Sequence, residues 1–156
     1  MAKARRVQID ADAPFADAAT QTLKIRGPEL LQYREGTLDG SDIEQLHSMR
    51  VATRRLRAAL EVYADCWPKK RHKKLLHLVK ATADSLSEAR DLDVQIEYLT
   101  GYREHAPAAD RAGIDSLIAL LRVRRAEADA QLAPALARLD EKDFAGQVER
   151  LVESGP

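Results

Sequence analysis

Only one cysteine, Cys66, occurs in the chain of 156 residues, which excludes an intrachain disulfide framework and a cysteine-cluster metal site. It is expected to be a structural thiol near a helix end in a reducing cytosol. Aromatic residues make up 4%, with two Phe and one Trp, so a β-sandwich or barrel is not expected. No apolar run approaches the ~20 residues that a membrane span needs. The opening segment MAKARRVQIDADAPF starts basic with no apolar stretch behind it, so no secretory signal is expected. Lys and Arg total 25 and so do Asp and Glu, leaving no whole-molecule field to attract nucleic acid or membrane. Strand patterning, a glycine-rich phosphate loop, low-complexity segments and internal repeats are missing as well.

What remains is aliphatic and helical. With 45% hydrophobic residues the chain can bury one sizeable core, giving a single domain over 1–156 in which residues 1–12 are expected to be disordered. Asp12 before Pro14 predicts a helix start, with a helix to about Tyr33 that Gly27-Pro28 kinks or splits. Gly36 to Gly40 reads as a loop, and the capping box Ser41-Asp42-Ile43-Glu44 opens a helix to about Asp65. Trp67-Pro68 ends it, and the next helix is expected from Lys69 to about Glu88. A further amphipathic stretch runs from Asp91 to about Glu104, where Pro107 stops it. A long helix then spans Ala108 to about Leu139 with a kink at Pro134, and a short helix carrying Phe144, Val148 and Leu151 closes the chain. The expected fold is all-α, an up-and-down bundle of four main helices plus a short terminal one.

Charge is segregated along this chain. Residues 1–46 hold six basic and eight acidic groups, 47–80 ten and two, and 81–156 nine and fifteen. On a helical wheel starting at His47, Arg50, Arg54 and Arg57 fall at about 300°, 340° and 280°, one narrow arc. Met49, Ala52, Leu56, Ala59, Leu60 and Tyr63 occupy the opposite side. Guanidinium forks spaced ~4.5–6 Å apart along a helix suit a linear polyanion, because they bind phosphate oxygens bidentately and keep their charge. The run Lys69-Lys70-Arg71-His72-Lys73-Lys74 adds cations, with Lys73, His77 and Lys80 repeating on one helix face. If the two helices are antiparallel, Lys80 is expected near the start of the Ser41 helix and Lys73 near its end. The acidic segment 81–156 is read as offsetting the basic third.

At HSMRVATRRLRAALEVY (His47 to Tyr63) and LSEARDLDV (Leu86 to Val94) the sequence resembles the CHAD family, from the first helix through the short terminal one. The resemblance implies a helical domain that binds inorganic polyphosphate along a basic surface, found in bacteria and archaea. Carried over, the family's basic motif falls on His47, Arg50, Arg54, Arg55 and Arg57, its third-helix lysine on Lys80, and its R-D pair on Arg90 and Asp91. Arg55 lies about 100° from the edge of the arc, so it is open to pairing with an acid or reaching a neighbouring subunit. Asp91 and Asp93 are expected to start a helix, capping it and orienting Arg90. Members typically contain two related bundles facing each other across a basic cleft, and this chain has material for one, half of such a domain. A homodimer is therefore expected to restore the cleft. A cytoplasmic location is expected from the lone cysteine and the missing signal and membrane span, and the resemblance adds association with polyphosphate granules.

His47, at one end of the arc, is placed to hydrogen-bond a phosphate oxygen, while nearby cations favour its neutral form in an empty site. No metal and no cofactor are expected: His72 and His77 are five apart, His105 is remote, and no metalloenzyme spacing accompanies them. No nucleophile–base pair or carboxylate cluster for magnesium points to an enzyme. Two rival readings remain. One is a histidine phosphotransfer domain with His47 as phosphoacceptor. The other is nucleic-acid or general polyanion binding, which the lack of aromatics on the basic face and of a recognition-helix motif disfavours.

Overall fold

The computed structural model describes residues 4–154. Among them are six α-helices: α1 (Phe15–Leu31), α2 (Arg34–Asp39), α3 (Ile43–Val62), α4 (Lys69–His105), α5 (Ala108–Glu141) and α6 (Phe144–Ser154), with a 3₁₀ turn at Ala64–Cys66 and no strand. The all-α bundle with a short terminal helix is that expected from the sequence. Residues 1–3, part of the segment expected to be disordered, lie outside the described residues; residues 4–10 form no helix or strand, and the Arg5 backbone N–H donates to Glu29.

α1 is not capped by Asp12. Pro14 takes the N-cap position without a side-chain cap, and its carbonyl accepts from the Asp17 and Ala18 amides at 2.9 and 3.1 Å. Nor is α1 split at Pro28. Part of the clash that a proline imposes is with the Cβ of the preceding residue, and Gly27 has none. The same missing Cβ lets α6 approach, since a Cβ at Gly27 would stand 2.6 Å from Val148 Cγ1. Gly27→Ala should therefore destabilise the fold by about 1–2 kcal/mol in urea unfolding, without loss of helix content by circular dichroism.

The stretch expected as a loop is instead α2, a short helix that Gly40 ends in the left-handed region at φ 70°. Gly36 inside it serves packing, because a Cβ there would meet the Gln45 side chain at 2.7 Å. α3 begins as the capping box predicts in position, but with different chemistry. Asp42 is the N-cap, its Oδ1 accepting the Glu44 amide at 2.9 Å, while Ser41 Oγ turns back to Asp39. α3 stops at Val62 rather than Asp65, and residues after it turn through the 3₁₀ segment into Trp67, which is buried.

The largest departure is α4. The two helices expected at Lys69–Glu88 and Asp91–Glu104 are one helix of 37 residues. Its buried positions, His72, Leu75, Val79, Thr82, Leu86 and Ala89, step by three and four, and the half-buried Leu92, Ile96 and Leu99 continue the same phase across the supposed boundary. No proline or glycine interrupts the backbone there. Asp93 lies well inside the helix and its carboxylate takes Arg125 of α5 at 2.7 and 3.5 Å. α5 pairs antiparallel with it, with Arg103 held to Asp115 near the far end.

At 1.5 Å per residue α4 is ~55 Å long and the 20-residue α3 only ~30 Å, so the α4–α5 hairpin overhangs the bundle. The core beneath α3 is aliphatic: Met49, Ala52, Leu56 and Leu60 are at most 1% exposed, and they pack with Leu23, Leu30, Leu75 and Leu136. His72 belongs to this core rather than to the basic surface. Its Nε2–H donates to the Leu60 carbonyl at 2.8 Å, satisfying an orphan acceptor in the last turn of α3, and its ring stacks on Trp67. Cys66 is buried as a structural thiol, and that burial together with nearby Asp65 pushes its pKa up, away from reactivity.

Candidate functional site

With Met49, Leu56 and Leu60 committed to the core, helical geometry leaves His47, Arg50, Arg54 and Arg57 on the outer side of α3 beside α4. The cross-helix contacts set the level at which each cation stands. Arg50 Nε donates to Ser87 Oγ at 3.3 Å, and its guanidinium lies 3.9 Å from Asp91. Three residues back along α3 is His47, and three forward along α4 is Arg90, so these two share a level. At the other end, Glu61 accepts from Arg57 at 3.0 Å and from Lys80 at 3.3 Å.

Lys80 therefore stands beside the last turn of α3, not near its start. The short connection at 63–68 turns the chain straight back, so α4 runs antiparallel to α3 from its first turn, where His72 already reaches the Leu60 carbonyl, and Lys80 meets the same end of α3 through Glu61. His77 and Lys73 continue the line beyond, both exposed. The result is one file of arginines and lysines with two histidines among them: His47 with Arg90, then Arg50, Arg54, Arg57 with Lys80, then His77 and Lys73. Arg54, Lys73 and His77 have no hydrogen-bond or ion-pair partner among the described residues.

Arg55 does not join them. Its NH1 lies 3.6 Å from Glu29 of α1, a carboxylate only 1% exposed that Arg26 also holds at 2.6 Å. Of the two alternatives left open by its position on the wheel, pairing with an acid is the one observed. Asp91 and Asp93 do not cap a helix, because α4 passes through them; Asp91 faces Arg50 and Asp93 anchors α5.

Two polar atoms at the His47 level are buried and unpartnered, His47 Nδ1 and Arg90 NH1. A buried donor left without an acceptor is costly, and Arg90 NH1 can only donate. Glu61 is the chief internal competitor for the cations. Hydrogen bonds from Arg57 and then Lys80 hold its carboxyl below the ordinary glutamate range, so it stays ionised. Ser87 was not singled out from the sequence, although it falls on the same α4 face as Lys73, His77 and Lys80 and that periodicity was its signal.

No group of three or more His, Cys, Asp and Glu side chains capable of holding a metal ion occurs among the described residues. No helix among them is long and apolar enough to cross a membrane. The arrangement offers fixed positive charge and hydrogen-bond donors in a row, a means of holding an extended anion rather than of breaking a bond. A search of curated proteins gives no significant match. The family model for the CHAD domain matches residues 26–156, most of the chain, and the protein belongs to the CHAD family.

Proposed function

We propose that the α3–α4 face binds inorganic polyphosphate, with His47, Arg50, Arg54, Arg57, Lys73, His77, Lys80 and Arg90 as its contacts. CHAD domains bind polyphosphate and are binding rather than catalytic domains. The observation that carries the reading for this chain is the file of basic side chains with only two, exposed, acids paired to it among the described residues. Arg54, Lys73 and His77 lack partners, and the acids near the others, Asp91 and Glu61, are exposed and hold them weakly. Like charges so close together repel, and a chain of phosphates relieves the repulsion over the full length of the row. Arg55 is left to its bond with Glu29.

Glu61 competes with phosphate for Arg57 and Lys80. Glu61→Gln should therefore raise affinity about threefold, read by isothermal titration with long-chain polyphosphate at fixed salt. Unchanged or weaker binding would argue that Arg57 and Lys80 do not touch the ligand.

A homodimer completes the site by bringing a second copy of the basic face. The overhanging hairpin supports this: Val94, Tyr98 and Tyr102 on α4 and Leu117, Leu120 and Val123 on α5 are all exposed, Tyr98 to 70%. Apolar side chains at this density on a solvent-facing arm mark an interaction surface. Light scattering at micromolar concentration should give twice the chain mass, and Tyr98→Glu with Leu120→Glu should return a monomer. A monomeric unmodified protein would contradict the dimer while leaving the single face intact.

A further inference from the structure

A second group of cations sits on the opposite flank of α4. Lys70, Arg71 and Lys74, on its first two turns, and Arg150 of α6 line a cavity of about 350 Å³ completed by Gln147. On the α4 wheel Lys70 and Lys74 lie about 60° and 100° from Lys73, turned away from α3 and toward α6. The chain enters α6 through Asp143, at φ 50°, whose carboxylate accepts the Gly146 amide at 3.2 Å and holds Arg150 at 2.9 Å. The side chains of Lys70, Arg71 and Lys74 make no hydrogen bond or close ion pair among the described residues, although the Asp143 carboxylate that holds Arg150 lies within electrostatic reach of Lys74.

Gln147 distinguishes this cavity from an ordinary basic patch. It is 8% exposed, and its Nε2 donates to the Lys142 carbonyl at 2.5 Å. A carbonyl only accepts, so the amide nitrogen must face it, and Oε1 on the other branch of the amide is left buried with no donor. A ligand that fits must therefore bring charged acceptor oxygens for the lysines and arginines and an O–H for Gln147. Sulfate has only acceptors at neutral pH and sets an oxygen against Oε1. Inorganic phosphate keeps at least one proton.

We propose that this cavity is a binding site for a protonated phosphate group, with Lys70, Arg71, Lys74 and Arg150 receiving its charged oxygens and Gln147 Oε1 accepting its P–OH. The free ion keeps that P–OH throughout the neutral range, and the terminal group of a polyphosphate chain offers it in its singly protonated form, which loses the proton at about pH 6. Only the second source rests on the function proposed above.

The test is titration with sodium phosphate and with sodium sulfate, separately, at equal ionic strength, followed by NMR. Phosphate should bind about tenfold or more tightly than sulfate, since one hydrogen bond is gained and one repulsion avoided. Lys70→Ala with Lys74→Ala, both on exposed positions, should remove phosphate binding, and Gln147→Met should erase the preference over sulfate. Arg50→Ala/Arg54→Ala/Arg57→Ala should leave orthophosphate binding unchanged, which separates this site from the α3 face. At about pH 6 linear polyphosphate should displace the bound phosphate and cyclic trimetaphosphate, which has no end group and no P–OH, should not. Displacement by neither would restrict the site to the free ion, and displacement by both would show that no P–OH is needed and overturn the proposal. Equal affinity for sulfate, or phosphate binding that survives loss of Lys70 and Lys74, would overturn the proposal.

Discussion

Replacing Arg50, Arg54 and Arg57 together by alanine should weaken long-chain polyphosphate binding by at least about a thousandfold. Each guanidinium that meets a phosphate makes a charge-assisted hydrogen bond worth ~1.5–3 kcal/mol, and three of them exceed ~4 kcal/mol. The dependence on salt should change in parallel. For a flexible single-stranded polyanion each neutralised phosphate contributes about 0.7 to the slope of log affinity against log salt, so the slope should fall by about two. Stability should hardly move, because Arg54 has no partner and Arg50 and Arg57 bond only to Ser87, Asp91 and Glu61 on an accessible face. Such pairs contribute ~0–1 kcal/mol each, so thermal unfolding should stay within a few degrees of the parent. Retained binding in a folded triple variant would move the site off α3.

Asp93→Asn should do the reverse, lowering stability with little effect on polyphosphate. The Asp93 carboxylate is 12% exposed and its partner Arg125 17%, and the pair ties α4 to α5 where the hairpin leaves the bundle. Asparagine keeps the shape and one acceptor oxygen but removes the charge facing a guanidinium that is largely withdrawn from water. Asp129 remains as a second, more exposed partner for Arg125, so the loss should be about 2 kcal/mol rather than the ~3–5 of a fully buried pair. For a domain of this size that is a fall of roughly 4–8 °C in thermal midpoint. Were Asp93 a helix cap, asparagine would serve as well as aspartate and the midpoint would not move. The substitution thus distinguishes one continuous α4 from two helices.

The contrast between α3 and α4 shows what the sequence makes legible. On α3 the centre of the core face and the outward arginines could be assigned from periodicity alone, because a helix packed on one side forces a single wheel: Met49, Ala52, Leu56, Ala59 and Leu60 are buried, while Arg54 is exposed and Arg57 half-buried. Leu46, Ser48 and Thr53, also buried, were missed at the edges of that face. The family resemblance carried by His47 to Tyr63 and Leu86 to Val94 likewise holds across residues 26–156. On α4 two carboxylates in succession look like a helix start, and the signal that refutes it, Arg125, is remote in sequence and reaches Asp93 only in the folded chain. The unbroken phase from Leu75 through Ala89 was the local evidence that outweighs the acidic residues.

The levels of the cations were not legible either. Which residue of α4 stands beside Glu61 depends on how tightly residues 63–68 turn, a matter of Trp67 and His72 packing under the end of α3. Arg55 shows the intermediate case: the wheel set it apart from the arc, but only the fold brings Glu29 of α1 to it. The cavity between α4 and α6 had no sequence signal beyond the lysine run, since Arg150 and Gln147 arrive from the far end of the chain.

Titration of the unmodified protein with long-chain polyphosphate at near-physiological salt, with duplex DNA present at equal phosphate concentration, tests the α3–α4 site most directly. A flexible chain can follow the single row of cations from His47 to Lys73, whereas a rigid duplex meets it at few points and finds no aromatic platform there. The predicted result is binding that DNA leaves largely intact. Displacement by DNA in proportion to phosphate, or no binding by the folded protein, would contradict it.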